Sequence, residues 1–218
     1  MENMLVTRSL VYKSPFVYEA IMAALYGRHY WHRQLAISRL IPEGKSVVDV
    51  CCGPGTLYTR HLKARHNVYT GIDLNEQFIR RIRRAGAQGI IASVEQMEEF
   101  PAADYLVMQA SLYHFLPNPH PLLKKMVSAA RERVIISEPI RNLTDSRVRP
   151  IAWFARLTTD AGNGRNEQRF NETLLSQVLS PYNAFIKSRE LLPGGREACF
   201  VIDAVAARAG AGNEGESA

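Results

Sequence analysis

The stretch Val47-Val-Asp-Val-Cys-Cys-Gly-Pro-Gly-Thr56 joins a short apolar run to a loop with glycine at positions 53 and 55. Its pattern predicts a buried strand, a tight loop and then a helix. Glycine lets backbone approach a ligand with no Cβ in the way. The N–H groups at the start of the following helix favour an electron-rich partner. Taken alone, the pattern also suits an ordinary strand–helix turn. Asp73 adds chemistry, because it closes a second apolar strand, Val68–Ile72. A carboxylate at that point of a doubly wound sheet can accept hydrogen bonds from the two hydroxyls of a ribose. Its other reading is a cap for a helix opening at Asn75. Strand, glycine loop and acid arrive in the order a nucleoside site requires.

Asp49-Val-Cys-Cys-Gly53-Pro-Gly55-Thr resembles the first motif of class I S-adenosyl-L-methionine (SAM)-dependent methyltransferases, and Gly71-Ile-Asp73-Leu resembles the second. The resemblance extends over residues 45–140 and more loosely over a C-terminal hairpin. It implies SAM as cofactor and S-adenosyl-L-homocysteine as product. It also implies that Asp49 orients the loop or the cofactor amino group. The Cys52-Gly53-Pro54-Gly55 loop would bind the amino-acid moiety, with Gly53 and Gly55 passing beneath it. Asp73 would hold the ribose and Leu74 touch the adenine. Where the family often carries an acid after its third strand, this chain has Ser93, followed by Val94 and Glu95. Ser93 and Val94 are expected at the adenine, with Glu95 able to reach across. Gln109, ending the fourth strand, would lie near the cofactor amino acid. Leu57 and Tyr58 follow the loop where a dinucleotide fingerprint has its third glycine, which favours SAM over NAD.

On the acceptor side the candidates are Tyr113, His114 and Glu138. A histidine can take a proton from a hydroxyl or amine near neutral pH; a helix-start or core role is the alternative. Glu138 ends the fifth strand, where a parallel sheet opens its crevice. It would orient a polar group of the acceptor or anchor the following loop through an arginine. Tyr18, Tyr26, Tyr30 and Trp31 make the N-terminal segment aromatic. In the family such a segment often closes over the cofactor. Tyr26 and Tyr30 share a helix face and are the candidate acceptor-binding residues, against core packing as the alternative.

The elements that must position these groups alternate strand and helix, as in an α/β protein. The expected fold is a doubly wound, mostly parallel seven-stranded sheet with an antiparallel C-terminal hairpin and helices on both faces. Residues 1–44 read as a helical lid or substrate segment, helical over 8–40 with a break near Pro15. Residues 45–208 read as the SAM-binding domain, with 140–168 inserted on the acceptor side. Helices are expected over 56–65, 75–85, 119–132 and 171–179. The small polar tail 209–218 is expected to be disordered.

Composition closes off other classes. The chain has 218 residues, 46% hydrophobic and 22% charged, with net charge +6. No apolar run approaches a membrane span and no signal peptide is evident, so a cytoplasmic location is expected. Three cysteines, two of them adjacent, argue against a disulfide scaffold. The six histidines and the cysteines lack metal-ligand spacing, and no metal is expected. The basic run Arg80-Arg81-Ile-Arg83-Arg84 suits a solvated helix face. No RNA-binding module and no Asn-Pro-Pro-Tyr motif accompanies it, so a small-molecule or lipid-like acceptor is expected rather than nucleic acid. RNA methylation and a non-catalytic SAM-binding role are the alternatives. The oligomeric state is open, a homodimer included.

Overall fold

The computed structural model describes residues 14–141 and 169–214, apart from the side chains of Leu25 and of residues 211–214. The inserted segment 140–168 therefore lies almost wholly outside the described residues. Seven strands form one sheet: β1 (Ser46–Val50), β2 (Val68–Asp73), β3 (Gln88–Ile91), β4 (Ala103–Gln109), β5 (Ala130–Pro139), β6 (Ile186–Leu191) and β7 (Glu197–Asp203), in the order β3-β2-β1-β4-β5-β7-β6. β1 to β5 run parallel, and β7 is antiparallel to both β5 and β6. The expected seven-stranded architecture is the observed one. The chain leaves β1 toward β2 on one side and later returns to β4 on the other, so the crevice opens at the carboxyl ends of β1 and β4.

Alternate strand residues feed two cores, because successive side chains point to opposite faces. Val48, Val50, Leu106, Met108 and Ile136 pack with Leu122, Leu123 and Met126 of α4 (His120–Ala129). Val47, Val107 and Ile135 pack with Ile37 of α2 (His29–Arg39) and with Ile79 and Ile82 of α3 (Glu76–Arg84). Burial on both faces explains why these strands read as continuous apolar runs.

Several boundaries depart from expectation. Pro15 does not break the N-terminal helix but begins α1 (Pro15–Tyr26), since proline at the first helical position loses no intrahelical bond. The break falls at Gly27-Arg28, before α2, where Gly27 has φ 57°. The helix after the glycine loop runs from Thr56, becomes π-helical over Tyr58–Leu62 and tightens to a 3₁₀ turn over Lys63–Arg65. The helix expected to reach Glu132 stops at Ala129. From Ala130 the chain pairs with β4, and Arg133 pairs with Asp203 of β7. Asn171 caps α5 (Glu172–Val178) by accepting from Leu174 N–H at 2.8 Å.

The tail expectation is corrected: residues 209–214 belong to α6 (Ala204–Glu214), and only 215–218 lie outside the described residues. Alanine is the strongest helix former. Asp203 Oδ1 accepts from Ala206 N–H at 3.1 Å at the helix start. Arg208 donates to Val127 O at 2.6 Å. Gly210 sits so close to Phe185 that a Cβ there would lie 2.4 Å from its Cζ. Docking supplies what a local reading of small polar residues leaves out.

Candidate active site

The carboxyl ends of β1 and β4 are both strained. Cys51 (φ 57°) and Ala110 (φ 47°) are non-glycine residues in the left-handed region, a conformation that persists only where its surroundings enforce it. The loop glycines divide their work. Gly53 has φ 55° and open space where a Cβ would stand. Gly55 has φ 69°, and a Cβ there would meet Ile82 Cγ1 of α3 at 2.5 Å. Asp73 ties these pieces together: Oδ2 accepts from Gly53 N–H at 2.9 Å and Oδ1 from Asn75 N–H at 2.8 Å. Asn75, rather than Asp73, caps α3, accepting from Gln77 N–H at 3.0 Å.

Two adjoining cavities open at this switch point, sharing Cys51, Gly53, Ala110, Ser111 and Tyr18 as walls. The larger, of about 270 Å³, is bordered by Asp73, Leu74, Ser93, Val94 and Glu95 on one side and by Tyr113 and His114 on the other. The smaller, of about 60 Å³, is bordered by Asp49, Cys52, Pro54 and Gln109, joined by Tyr30 and Gln34 from α2. The expected cofactor residues thus gather around one continuous space, with one exception. Gly55 lines neither cavity and instead permits the close approach of α3.

The smaller cavity is lined by polar side chains, the Arg33 guanidinium among them, and several of their oxygens lack a partner. Gln34 Oε1, Asp49 Oδ1 and Gln109 Oε1 are buried there with no hydrogen-bond partner among the described residues. The other oxygen of Asp49 accepts from Tyr69 O–H at 2.7 Å. Burial pushes the Asp49 carboxyl up to about 7, with the Tyr69 bond opposing and the Asp73 charge adding to the rise. The Tyr69 ring stacks on Tyr58 of the π-helical turn at 4.8 Å, so the segment after the loop fixes the acid beneath it.

Helices α1 and α2 close one side of this space. Glu19 bridges the loop to α3: it accepts from Thr56 O–H at 2.8 Å and pairs with Arg81 at 2.8 Å. Tyr18 meets Phe78 of α3 edge-on at 5.4 Å. Tyr30, only 1% exposed, lies 3.4 Å from Thr56 Oγ1 through its hydroxyl. Arg33 pairs with Glu197 of β7 at 2.5 Å in a buried ion pair, its guanidinium 4.9 Å from the Tyr30 ring centroid and 5.1 Å from that of Tyr26. The two expected tyrosines therefore part company. Tyr30 borders the smaller site cavity, and Tyr26 borders a third cavity on the far side of Arg33. Glu19, Arg33, Gln34 and Glu197 did not stand out in the sequence. Their partners lie 37 and 164 residues away for the Thr56–Glu19 and Arg33–Glu197 contacts, and no local spacing signals such pairs.

On the acceptor side, Tyr113 and His114 line the larger cavity and stack at 4.0 Å. The Arg169 guanidinium lies 3.9 Å from the Tyr113 ring centroid. Burial, reinforced by Arg169, pushes His114 down to about 4, so the ring is neutral at physiological pH and far less basic than its type suggests. Glu138 borders neither site cavity. Its Oε1 accepts from the N–H groups of Ser111 and Leu112, each at 2.7 Å. It anchors the loop after β4 through backbone, where the sequence suggested a following loop and an arginine. Burial is the main reason its carboxyl is raised to about 8.

Residues 47–133 match the family model described as "Methyltransferase domain". No curated protein sequence matches the chain. Among solved structures it is similar to a chain from the complex of the Haloferax volcanii Trm112 methyltransferase activator with a methyltransferase, at 11% identity and TM-score 0.64 over 91% of this chain and 99% of that one. It is also similar to magnesium protoporphyrin IX methyltransferase from Synechocystis PCC 6803 with bound S-adenosyl-L-homocysteine, at 14% identity and TM-score 0.59 over 85% and 94%. A third is the plantazolicin methyltransferase BpumL, at 14% identity and TM-score 0.59 over 91% and 96%. At these identities the likeness is one of fold. The domain match over residues 47–133 and the Rossmann-like sheet both agree with the expected resemblance to class I SAM-dependent methyltransferases, whose cofactor is SAM.

Proposed function

We propose that this chain is a SAM-dependent methyltransferase acting on a small-molecule or lipid-like acceptor by direct displacement at the methyl carbon, with the two joined cavities holding the donor. The observation that carries the reading is the set of unpartnered acceptors in the smaller cavity. A buried polar atom without a partner costs free energy. Gln34, Asp49 and Gln109 border this cavity, and each has an acceptor oxygen without a hydrogen-bond partner among the described residues; a protonated amino group would supply the donors they lack. The larger cavity fits a nucleoside, with the Asp73 carboxylate at its mouth and Leu74, Val94 and Tyr18 as apolar walls. When bound, SAM supplies an activated methyl group on a cationic sulfur.

The chain's own residues then mainly position. Positioning alone supplies roughly 7–11 kcal/mol in well-oriented systems. Glu138 holds the Ser111–Leu112 backbone at the cavity wall. Tyr113 and His114 border the space in which an acceptor would meet the methyl group, and a neutral His114 can accept a hydrogen bond from an acceptor hydroxyl or amine. The α1–α2 helices, pinned by Glu19, keep water from one side of the site.

The RNA alternative draws less support. The basic run on α3 is largely spent inside the chain: Arg80 pairs with Glu76, Arg81 with Glu19, and Arg83 donates to Gly89 O at 2.7 Å. Among the described residues no helix is long and apolar enough to cross a membrane. A cytoplasmic location stays part of the proposal. The test is transfer from methyl-labelled SAM into cell extract separated into small-molecule, lipid and RNA fractions. Label in the small-molecule or lipid fraction is expected, and label in RNA alone would overturn the acceptor class.

A further inference from the structure

Lys125 of α4 reaches the loop that follows β3 and donates to three backbone carbonyls there: Val94 O at 2.7 Å, Met97 O at 2.8 Å and Glu95 O at 3.3 Å. An ammonium carries three N–H donors and no acceptor, so this one loop engages the whole group. The loop is a tight turn, in which Gln96 and Met97 N–H both donate to Ser93 O, at 3.0 and 3.2 Å. Val94 is 5% exposed and belongs to the same core as Leu122 and Met126 of α4. Ala92 N–H, just before the turn, donates to Asp73 O at 3.3 Å. The Phe100 ring centroid lies 5.4 Å from the Lys125 nitrogen and adds a π face to the cation's surroundings.

The same loop is a wall of the larger cavity. Ser93, Val94 and Glu95 border it together with Leu74 and Phe78, and Lys125 does not. A trans peptide sets its C=O and its N–H in opposite directions. With Val94 O turned toward Lys125, Glu95 N–H points away from it. Val94 and Glu95 N–H have no hydrogen-bond partner among the described residues, so both can donate to a ligand. Carbonyl oxygens gathered at one point repel one another unless a cation stands among them. Without the ammonium these peptides would turn toward water and carry the opposed N–H groups with them. The chain has Ser93 where an acid would read an exocyclic amino group, so recognition of a base at this wall falls more heavily on backbone.

We infer that Lys125 is a positioning residue for the cofactor's base: it fixes the backbone of residues 93–95 so that an N–H there meets the ring-edge acceptor of an adenine. It touches neither the donor nor the methyl acceptor and acts through the loop. Its consequence is selectivity for a 6-aminopurine, whose N1 is an acceptor, over a 6-oxopurine, whose N1 carries a hydrogen. A site built to make a hydrogen bond rejects a ligand that leaves it unmade far more strongly than an apolar pocket can. The inference rests on the reading of the larger cavity as the nucleoside side of a SAM site.

The experiment is calorimetric titration of the full chain with S-adenosyl-L-homocysteine and with S-inosyl-L-homocysteine, its 6-oxopurine counterpart. The wild type should prefer the adenosyl ligand at least tenfold. Lys125→Gln should cut that ratio at least threefold, the adenosyl ligand losing more affinity than the inosyl one. Lys125→Arg keeps the charge but spreads its donors over a plane, so the ratio should fall there too, by less. A lysine that merely caps the turn would lower the melting temperature of both variants and weaken both ligands alike. A ratio left at its wild-type value would therefore overturn the inference, and so would a wild type that binds the two ligands equally. If the glutamine variant does not fold, the arginine variant decides by the same ratio. Failure of S-adenosyl-L-homocysteine to bind the wild type would strike the underlying reading instead.

Discussion

Asp73 Oδ2 accepts a hydrogen bond from Gly53 N–H at 2.9 Å, so the acid that ends β2 also holds the loop that follows β1. One carboxylate thereby serves the site twice, as the expected ribose acceptor and as the tie between two strand ends.

That double duty separates two substitutions. Asp73→Ala should weaken S-adenosyl-L-homocysteine binding at least tenfold, since charged hydrogen bonds are worth roughly 1.5–3 kcal/mol each. It should also lower stability by about 1–3 kcal/mol, because Gly53 and Asn75 N–H lose their acceptor. Asp73→Asn, which keeps an acceptor oxygen, should recover part of the stability and little of the affinity. Calorimetry and denaturant melts measure both. Unchanged affinity in the alanine variant would sink the ribose role.

The two loop glycines should fail differently. Gly55→Ala places a methyl group 2.5 Å from Ile82 Cγ1 at φ 69°, and overpacking costs about 1–3 kcal/mol in addition to backbone strain. It should destabilise the whole domain. Gly53→Ala meets nothing within 4 Å, so its melting point should move less while cofactor affinity falls more. Equal losses of stability in the two variants would refute this division.

Glu138 predicts a pH dependence. Its folded pKa, raised to about 8 by burial, lies above that of an unfolded glutamate. Its contribution to stability is therefore fully present below about pH 4 and is lost as pH rises through about 8. Glu138→Gln keeps an acceptor for Ser111 and Leu112 N–H but cannot ionise. The variant should match wild type near pH 5 and exceed it near pH 9, by on the order of 5 kcal/mol if the full shift is expressed. Melting curves across that range decide it, and a difference independent of pH would count against a protonated Glu138.

The N-terminal helices should answer to the cofactor. Glu19 pins α1 to Thr56 and Arg81, and Tyr18 borders both site cavities. Hydrogen exchange over residues 15–39 should slow when S-adenosyl-L-homocysteine binds. Glu19→Gln should speed exchange there in the free chain, with little change in β4 and β5, because lids open with less free energy than cores. Exchange in this segment that ignores the cofactor would leave α1 and α2 as structural cover only.

Much of this protein was readable from its residues because the governing physics is local. Apolar runs, their turn punctuation and the Gly53–Asp73 order dictated a parallel sheet with its crevice beside β1. Strand chirality and short connections permit few other arrangements. Asn171 announced its helix for the same reason, since a cap bonds within one turn. The sequence also named most of the walls of the two joined cavities, because a loop and the strand ends beside it come together in any such sheet. What the tertiary structure alone decided depends on residues far apart in the chain. Ile82 on α3 fixes which glycine faces open space and which one only allows close packing. Pairing with β4 and β7 converts residues 130–132 from expected helix to strand, and docking against Phe185 and Val127 orders the helix expected to be a loose tail. Burial moves His114 down to about 4 and Glu138 up to about 8, shifts that no residue type carries in its name. Arg33 meets Glu197 only because α2 packs against the hairpin, and it borders both the smaller site cavity and the cavity beside Tyr26.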